Sequence, residues 1–130
     1  MKTEEKDERA QKQALSKLES IMEMVQNLTS ENDDDKEDAL ERIYEHPLSV
    51  QVRSAWCDPG SKMDPAKFKI LLCTGGPAVR IIGKLDHRDV PYQAQLEYQD
   101  WFTPWEQLDD ITEEQQEALL TYCRSFYYGN

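Results

Sequence analysis

The sequence predicts an α+β domain: an antiparallel sheet of about four strands, with helices N-terminal to it and one C-terminal helix packed on it. Three observations carry this. Ala14, Leu18, Ile21, Val25 and Leu28 recur at alternating spacings of four and three, the signature of a helix with one apolar face. From Val50 onward the period drops to two, as in strands. Thr112 and Gln115 stand three residues apart before a last helical pattern, the spacing of a capping box.

The elements follow in order. Residues 1–30 read as the first helix, with Met22 and Met24 widening its stripe and residues 1–9 polar and frayed. The 4-3 spacing is also that of a coiled-coil seam. Packing on the chain's own sheet is preferred, and a homodimer through this helix is the alternative. Asn32 or Asp33 caps a second helix from about Asp34 to Glu45, because short polar side chains accept from the open N–H groups of a first turn. Asp34, Asp35 and Glu37 suit the positive end of its dipole, Ala39, Leu40, Ile43 and Tyr44 form its apolar face, and Pro47 ends it. The predicted division is therefore an N-terminal helix, 1–30, and a single α+β domain, 31–130.

Val50, Val52, Ser54 and Trp56 alternate with Gln51, Arg53, Ala55 and Cys57 as a first strand, and Asp58-Pro59-Gly60-Ser61 is turn chemistry. Phe68 to Cys73 and Ala78 to Gly83 are two more strands around Thr74-Gly75-Gly76-Pro77. With strands on both sides, Gly75-Gly76 is a hairpin turn and not a phosphate cradle, which needs a helix after the glycines. Beyond the loop Asp86–Asp89, Tyr92, Ala94, Leu96 and Tyr98 alternate against Gln93, Gln95, Glu97 and Gln99, a fourth strand with one wet face. Ala118, Leu119, Tyr122, Cys123 and Phe126 line the last helix, and Gly129 is placed to end it.

A chain of 130 residues suits one domain with one modest core. Its formal net charge is −11, unevenly spread. Residues 31–48 hold eight acidic and two basic side chains, and residues 97–130 hold eight acidic and one basic. Residues 49–96 hold four acidic and seven basic. The overall balance speaks against direct nucleic-acid binding, which needs Lys and Arg for the phosphates, and favours a basic partner. No apolar run approaches the length of a membrane span, and the first residues lack the apolar stretch of a secretory signal, so a cytoplasmic location in a bacterial host cell is expected. Three irregularly spaced cysteines, Cys57, Cys73 and Cys123, suggest buried thiols in a reducing compartment, not a disulfide framework or a zinc site.

No catalytic motif emerges. His46 and His87 sit in turns, at no spacing that pairs them with a cysteine or with each other as metal ligands. No cofactor, metal or enzymatic activity is expected. The strongest feature is Gln95 to Trp105, with Trp101, Phe102 and Trp105 set among carboxylates, followed by an acidic tract from Glu106 to Glu117. Carboxylates set several ångströms apart can compete for the Arg and Lys side chains of a nucleic-acid-binding protein, with aromatic anchors supplying much of the energy. One expected cluster is Asp33, Asp34, Asp35, Glu37, Asp38 and Glu41. The other is Glu97, Asp100, Glu106, Asp109, Asp110, Glu113, Glu114 and Glu117. Phe102 is expected in the core, and Trp101 and Trp105 at least partly exposed. The bland alternative makes the acids helix caps and solubilising charge, and buries the indoles with Trp56 as a plug under the last helix.

The stretches Leu71–Ile81 (LLCTGGPAVRI) and Tyr98–Trp105 (YQDWFTPW) resemble a family of small uncharacterised proteins from phages, prophages and other mobile elements. The likeness covers about Ala39 to Gly129 and makes the N-terminal helix a variable addition. The short, acidic build, with helices around an antiparallel sheet, is similar in style to several anti-CRISPR proteins. These likenesses imply an inhibitor of host defence that occludes the nucleic-acid-binding surface of a basic protein or ribonucleoprotein, a CRISPR effector first. Its contact residues would be Asp100, Trp101, Trp105, Glu106, Asp109, Asp110 and Glu113, with Asp33, Asp34, Asp35, Glu37 and Asp38 second. The alternative is a structural or adaptor protein that self-associates through residues 1–30.

Overall fold

A computed structural model of the chain describes residues 2–101 and 103–129, with side chains from Glu8 onward. The order is α1 (Lys2–Leu28), α2 (Asp33–Glu45), β1 (Ser49–Ser54), β2 (Pro65–Cys73), β3 (Ala78–Leu85), β4 (Pro91–Gln99), β5 (Glu106–Gln107) and α3 (Glu113–Cys123). The strands form one antiparallel sheet in chain order, β1-β2-β3-β4-β5. Every connection is between neighbours, so no crossover is needed.

The α+β class and the antiparallel sheet are as the sequence predicts. The fifth strand is the addition. Two residues are too few for a periodic signal, and pairing Glu106 with Tyr98 and Gln107 with Glu97 makes them a strand. β1 stops at Ser54, where its pairing with β2 shifts register, so Trp56 lies beyond the ladder. The backbone of α1 is helical from Lys2.

One face of the sheet carries the core. Phe68, Ile70 and Leu72 of β2, Val79 and Ile81 of β3, and Ala94, Leu96 and Tyr98 of β4 point the same way and are buried. Against them lie Ala10, Ala14, Leu18, Ile21 and Met24 of α1, and Leu119, Tyr122 and Cys123 of α3. Each fully buried aliphatic side chain contributes about 1.5–3 kcal/mol, and the stripe of α1 supplies several. A boundary at residue 30 therefore does not divide the core. The seam that could serve a coiled coil is occupied by the chain's own sheet and α3, so a homodimer through that face would have to open the fold.

Local chemistry fixes the ends of the elements. Asn32 caps α2, its Oδ1 accepting from the Asp34 N–H at 2.9 Å. Thr112 and Gln115 form the predicted capping box. α3 ends at Cys123 with Arg124 as its cap, not at Gly129. The tail beyond it returns to the core, where Tyr128 Oη donates to the Cys123 carbonyl and its ring lies 5.1 Å from Phe68. Gly75 and Gly76 have φ of +94° and +146° in the β2–β3 hairpin, a region closed to most side chains.

Candidate functional site: an acidic corner and a basic sheet face

The loop after β4 is built around Asp100. Its backbone N–H donates to Thr103 Oγ1, the Thr103 N–H and hydroxyl donate back to the Asp100 carbonyl, and Oδ1 accepts from the Trp101 N–H at 2.7 Å. Asp100 is only 3% exposed, and Arg9 of α1 stands 4.0 Å from Oδ2. A carboxylate so enclosed shapes the turn and does not reach a partner. Its place among the contact residues is corrected: it looked exposed because it sits among polar residues, but the turn folds back over it.

Glu97 leaves the acidic cluster for the same kind of reason. It is 8% exposed and forms a two-point contact with Arg80, Nε and Nη2 each 2.8 Å from Oε1, while Gln95 donates to Oε2. Arg80 also lies 3.9 Å above the centre of the Trp105 ring, a cation–π contact. Trp105 is thus half-buried and holds Arg80. Trp101 is 56% exposed, its indole facing Gly76 across the hairpin. Glu106, Asp109, Asp110, Glu113, Glu114 and Glu117 are exposed. Asp110 has φ of +60°, which Asp tolerates better than most residues. Trp101, Trp105 and these acids follow one another from the end of β4 along the β5 edge of the sheet into α3, the acidic corner of the molecule, with the Leu108 N–H bonded to the Leu96 carbonyl. Phe102 lies outside the described residues.

Asp33, Asp34, Asp35, Glu37, Asp38 and Glu41 are exposed on α2, which packs on α1. They follow the C-terminal end of α1, whereas Arg9, beside Asp100, is near its other end. Roughly 28 Å of helix axis separates Arg9 from Leu28. The acids of α2 are therefore carried toward the opposite end of α1 from the Asp100 turn.

The aromatic plug under α3 is not made of indoles. Tyr122 packs edge-on against His46 and Phe126, and Phe126 against Tyr44. Trp56 is fully exposed, which corrects both its place in a strand and its place in the plug. His46 Nδ1 lies 2.7 Å from Tyr122 Oη. Burial first, then Lys17 and Arg42, lower the His46 pKa, which favours the neutral ring as acceptor of the tyrosine hydroxyl. Burial pushes the Cys123 thiol well up, away from the thiolate that nucleophilic catalysis uses. Cys57 is exposed and Cys73 half-buried, so only Cys123 fits the expectation of a buried thiol. Among the described residues, no group of three or more His, Cys, Asp or Glu side chains is gathered as a metal site requires. No described helix is long and apolar enough to cross a membrane.

The opposite face of the sheet holds what the sequence reading missed. Lys67 and Lys69 of β2, and Arg80 and Lys84 of β3, alternate with the core residues and point away from the helices. Arg53 of β1 pairs with Lys67, and Lys67 with Lys84, so three cations stand in one cross-strand row. They border an open groove of about 720 Å³. The signal was present as period-two cations in the one segment with a positive balance, but the overall acidity concealed it. Comparison of the chain with family models, curated proteins and solved structures finds no match.

Proposed function

We propose that the protein is a non-enzymatic docking module whose acidic, indole-bearing corner covers the nucleic-acid-binding surface of a basic protein. The setting is that of a phage or mobile element acting on host defence in the bacterial cytoplasm, and a CRISPR effector is the first target to test. The observation that supports this reading is Trp101, 56% exposed and set on a hydrogen-bonded turn beside the acidic tract that includes Glu106, Asp109 and Glu113. An exposed indole held on a fixed turn loses little freedom on binding, and such anchors dominate interface energies. The surrounding carboxylates supply encounter rate and orientation.

The contact set is Trp101, Trp105, Glu106, Asp109, Asp110 and Glu113. Asp33, Asp34, Asp35, Glu37 and Asp38 are a separate surface that raises solubility and long-range attraction. The test is capture of a purified CRISPR effector complex on the immobilised full chain over a salt series. Retention should fall steeply with salt, added nucleic acid should compete, and Trp101→Ala or the Asp109→Lys/Glu113→Lys pair should weaken capture at least tenfold, about 1.4 kcal/mol. Capture untouched by these changes would remove the corner from the interface.

A further inference from the structure

We infer that the uncovered face of the sheet is a second binding site, and that its ligand is a single-stranded nucleic acid. This goes beyond the docking reading and does not depend on it. Four cations, Arg53, Lys67, Lys69 and Lys84, are exposed on this face, and the carboxylate beside them, Glu97, is committed to Arg80. In a chain of net charge −11, the face is a concentrated positive patch. Like charges directly opposite on neighbouring strands destabilise a sheet, yet Arg53, Lys67 and Lys84 share one row. A polyanion laid across that row would turn the repulsion into attraction.

Phosphodiester chains and acidic polypeptides both offer negative charge, and the geometry favours the first. The groove lies on the face of the sheet, where the strands' own N–H and C=O groups are already paired in the ladder. An extended peptide there would leave its backbone donors and acceptors to find side-chain partners, whereas a nucleic-acid backbone needs only cations at its phosphates. Gln51, Gln93 and Gln95 also line the groove. Their amides both donate and accept, as base edges require. One indole, Trp105, lies under Arg80 in the ladder of cations, and Trp56 is fully exposed two residues beyond the end of β1. Bases stack on such rings only when they are unpaired, which selects a single strand over a duplex. Lys67 and Lys69 are two residues apart on one strand, about 6.8 Å, and the neighbouring strands lie about 4.8 Å away, so a flexible strand can reach several cations at once.

The test uses the full chain and a fluorescein-labelled oligothymidylate of about 16 nucleotides, followed by fluorescence anisotropy over a salt series. Binding should appear at low salt and fall with a slope of log K on log salt of about −3, as expected for four phosphate contacts on a single strand. Lys67→Glu/Lys69→Glu should weaken it at least tenfold, and Lys84→Glu and Trp56→Ala should each weaken it severalfold. Each charge reversal relieves the like-charged row or its flank, so the fold should hold, with circular dichroism as the check. The Asp109→Lys/Glu113→Lys variant should still bind the oligonucleotide, which keeps failure of the docking reading distinct from failure of this one. Absence of binding at low salt, binding that the Lys67/Lys69 variant leaves intact, or tighter retention of polyglutamate than of the oligonucleotide would each overturn the proposal.

Discussion

The acidic corner takes its charge from a loop, a two-residue strand and a helix start, whereas the basic face takes its charge from side chains alternating on paired strands. In the corner, the backbone spreads the carboxylates into water, and the residues that turn inward, Asp100 and Glu97, are consumed by structure. On the sheet, the ladder fixes the spacing, and the cations cannot separate. The corner is near in sequence and adaptable in space. The face is assembled from three strands and rigid. A patch of the first kind suits fast, salt-sensitive encounter, and one of the second kind suits a ligand whose charges come at a repeated spacing.

The largest effect should come from Gly83→Ala, because both surfaces depend on the sheet beneath them. A Cβ there would collide with the Gln93 carbonyl oxygen and lie 2.5 Å from Phe68 Cζ. Neither the paired β4 backbone nor a buried ring can give way easily. Stability should fall by about 3 kcal/mol, read from the urea unfolding midpoint, with both binding activities weakened together. An unchanged midpoint would mean that β4 slides freely, and the fixed spacing argued for the basic face would lose its basis.

A smaller effect is expected from Glu97→Gln, which separates the two surfaces. It leaves Arg80 without its carboxylate in a mostly desolvated setting, costing about 2 kcal/mol, less than a fully buried pair because Arg80 keeps some contact with water. The same change removes one negative charge from the sheet face. Chemical denaturation should show the loss, while oligonucleotide binding tightens and capture through the corner stays as it was. Weaker oligonucleotide binding in a folded variant would show that Glu97 positions Arg80 for the ligand instead of neutralising it.

The smallest effect is Lys67→Gln. Removing the middle charge of the Arg53–Lys67–Lys84 row should raise stability by about 0.5 kcal/mol and weaken oligonucleotide binding. Opposite signs from one substitution are the mark of a residue kept for a ligand. A fall in stability would show that the row is already relieved by neighbouring groups and is not under charge strain.

How much of this was legible depended on whether a signal was local. The helices read correctly because an apolar face repeats within one segment, and the caps at Asn32 and Thr112 are decided within three residues. Strands β2 to β4 read from their alternation, although β2 begins three residues earlier and β3 ends two residues later than expected. Trp56 misled because alternation continues through it in sequence while pairing stops at Ser54. Of the contact residues, Trp101, Glu106, Asp109, Asp110 and Glu113 are at the surface as expected. Asp100 is not, because a polar residue in a tight turn is buried when the turn's own atoms cover it.

By itself the sequence determined the α+β class, the order of the three helices and four main strands, the antiparallel hairpins and the acidic loop at the end of β4, since each rests on residues a few positions apart. The tertiary structure alone decided that Glu106 and Gln107 add a fifth strand, that Asp100 and Glu97 turn inward, and that cations from three strands stand together. Periodicity tells which way a side chain points from its own element, and only packing and register tell which distant side chain it meets there.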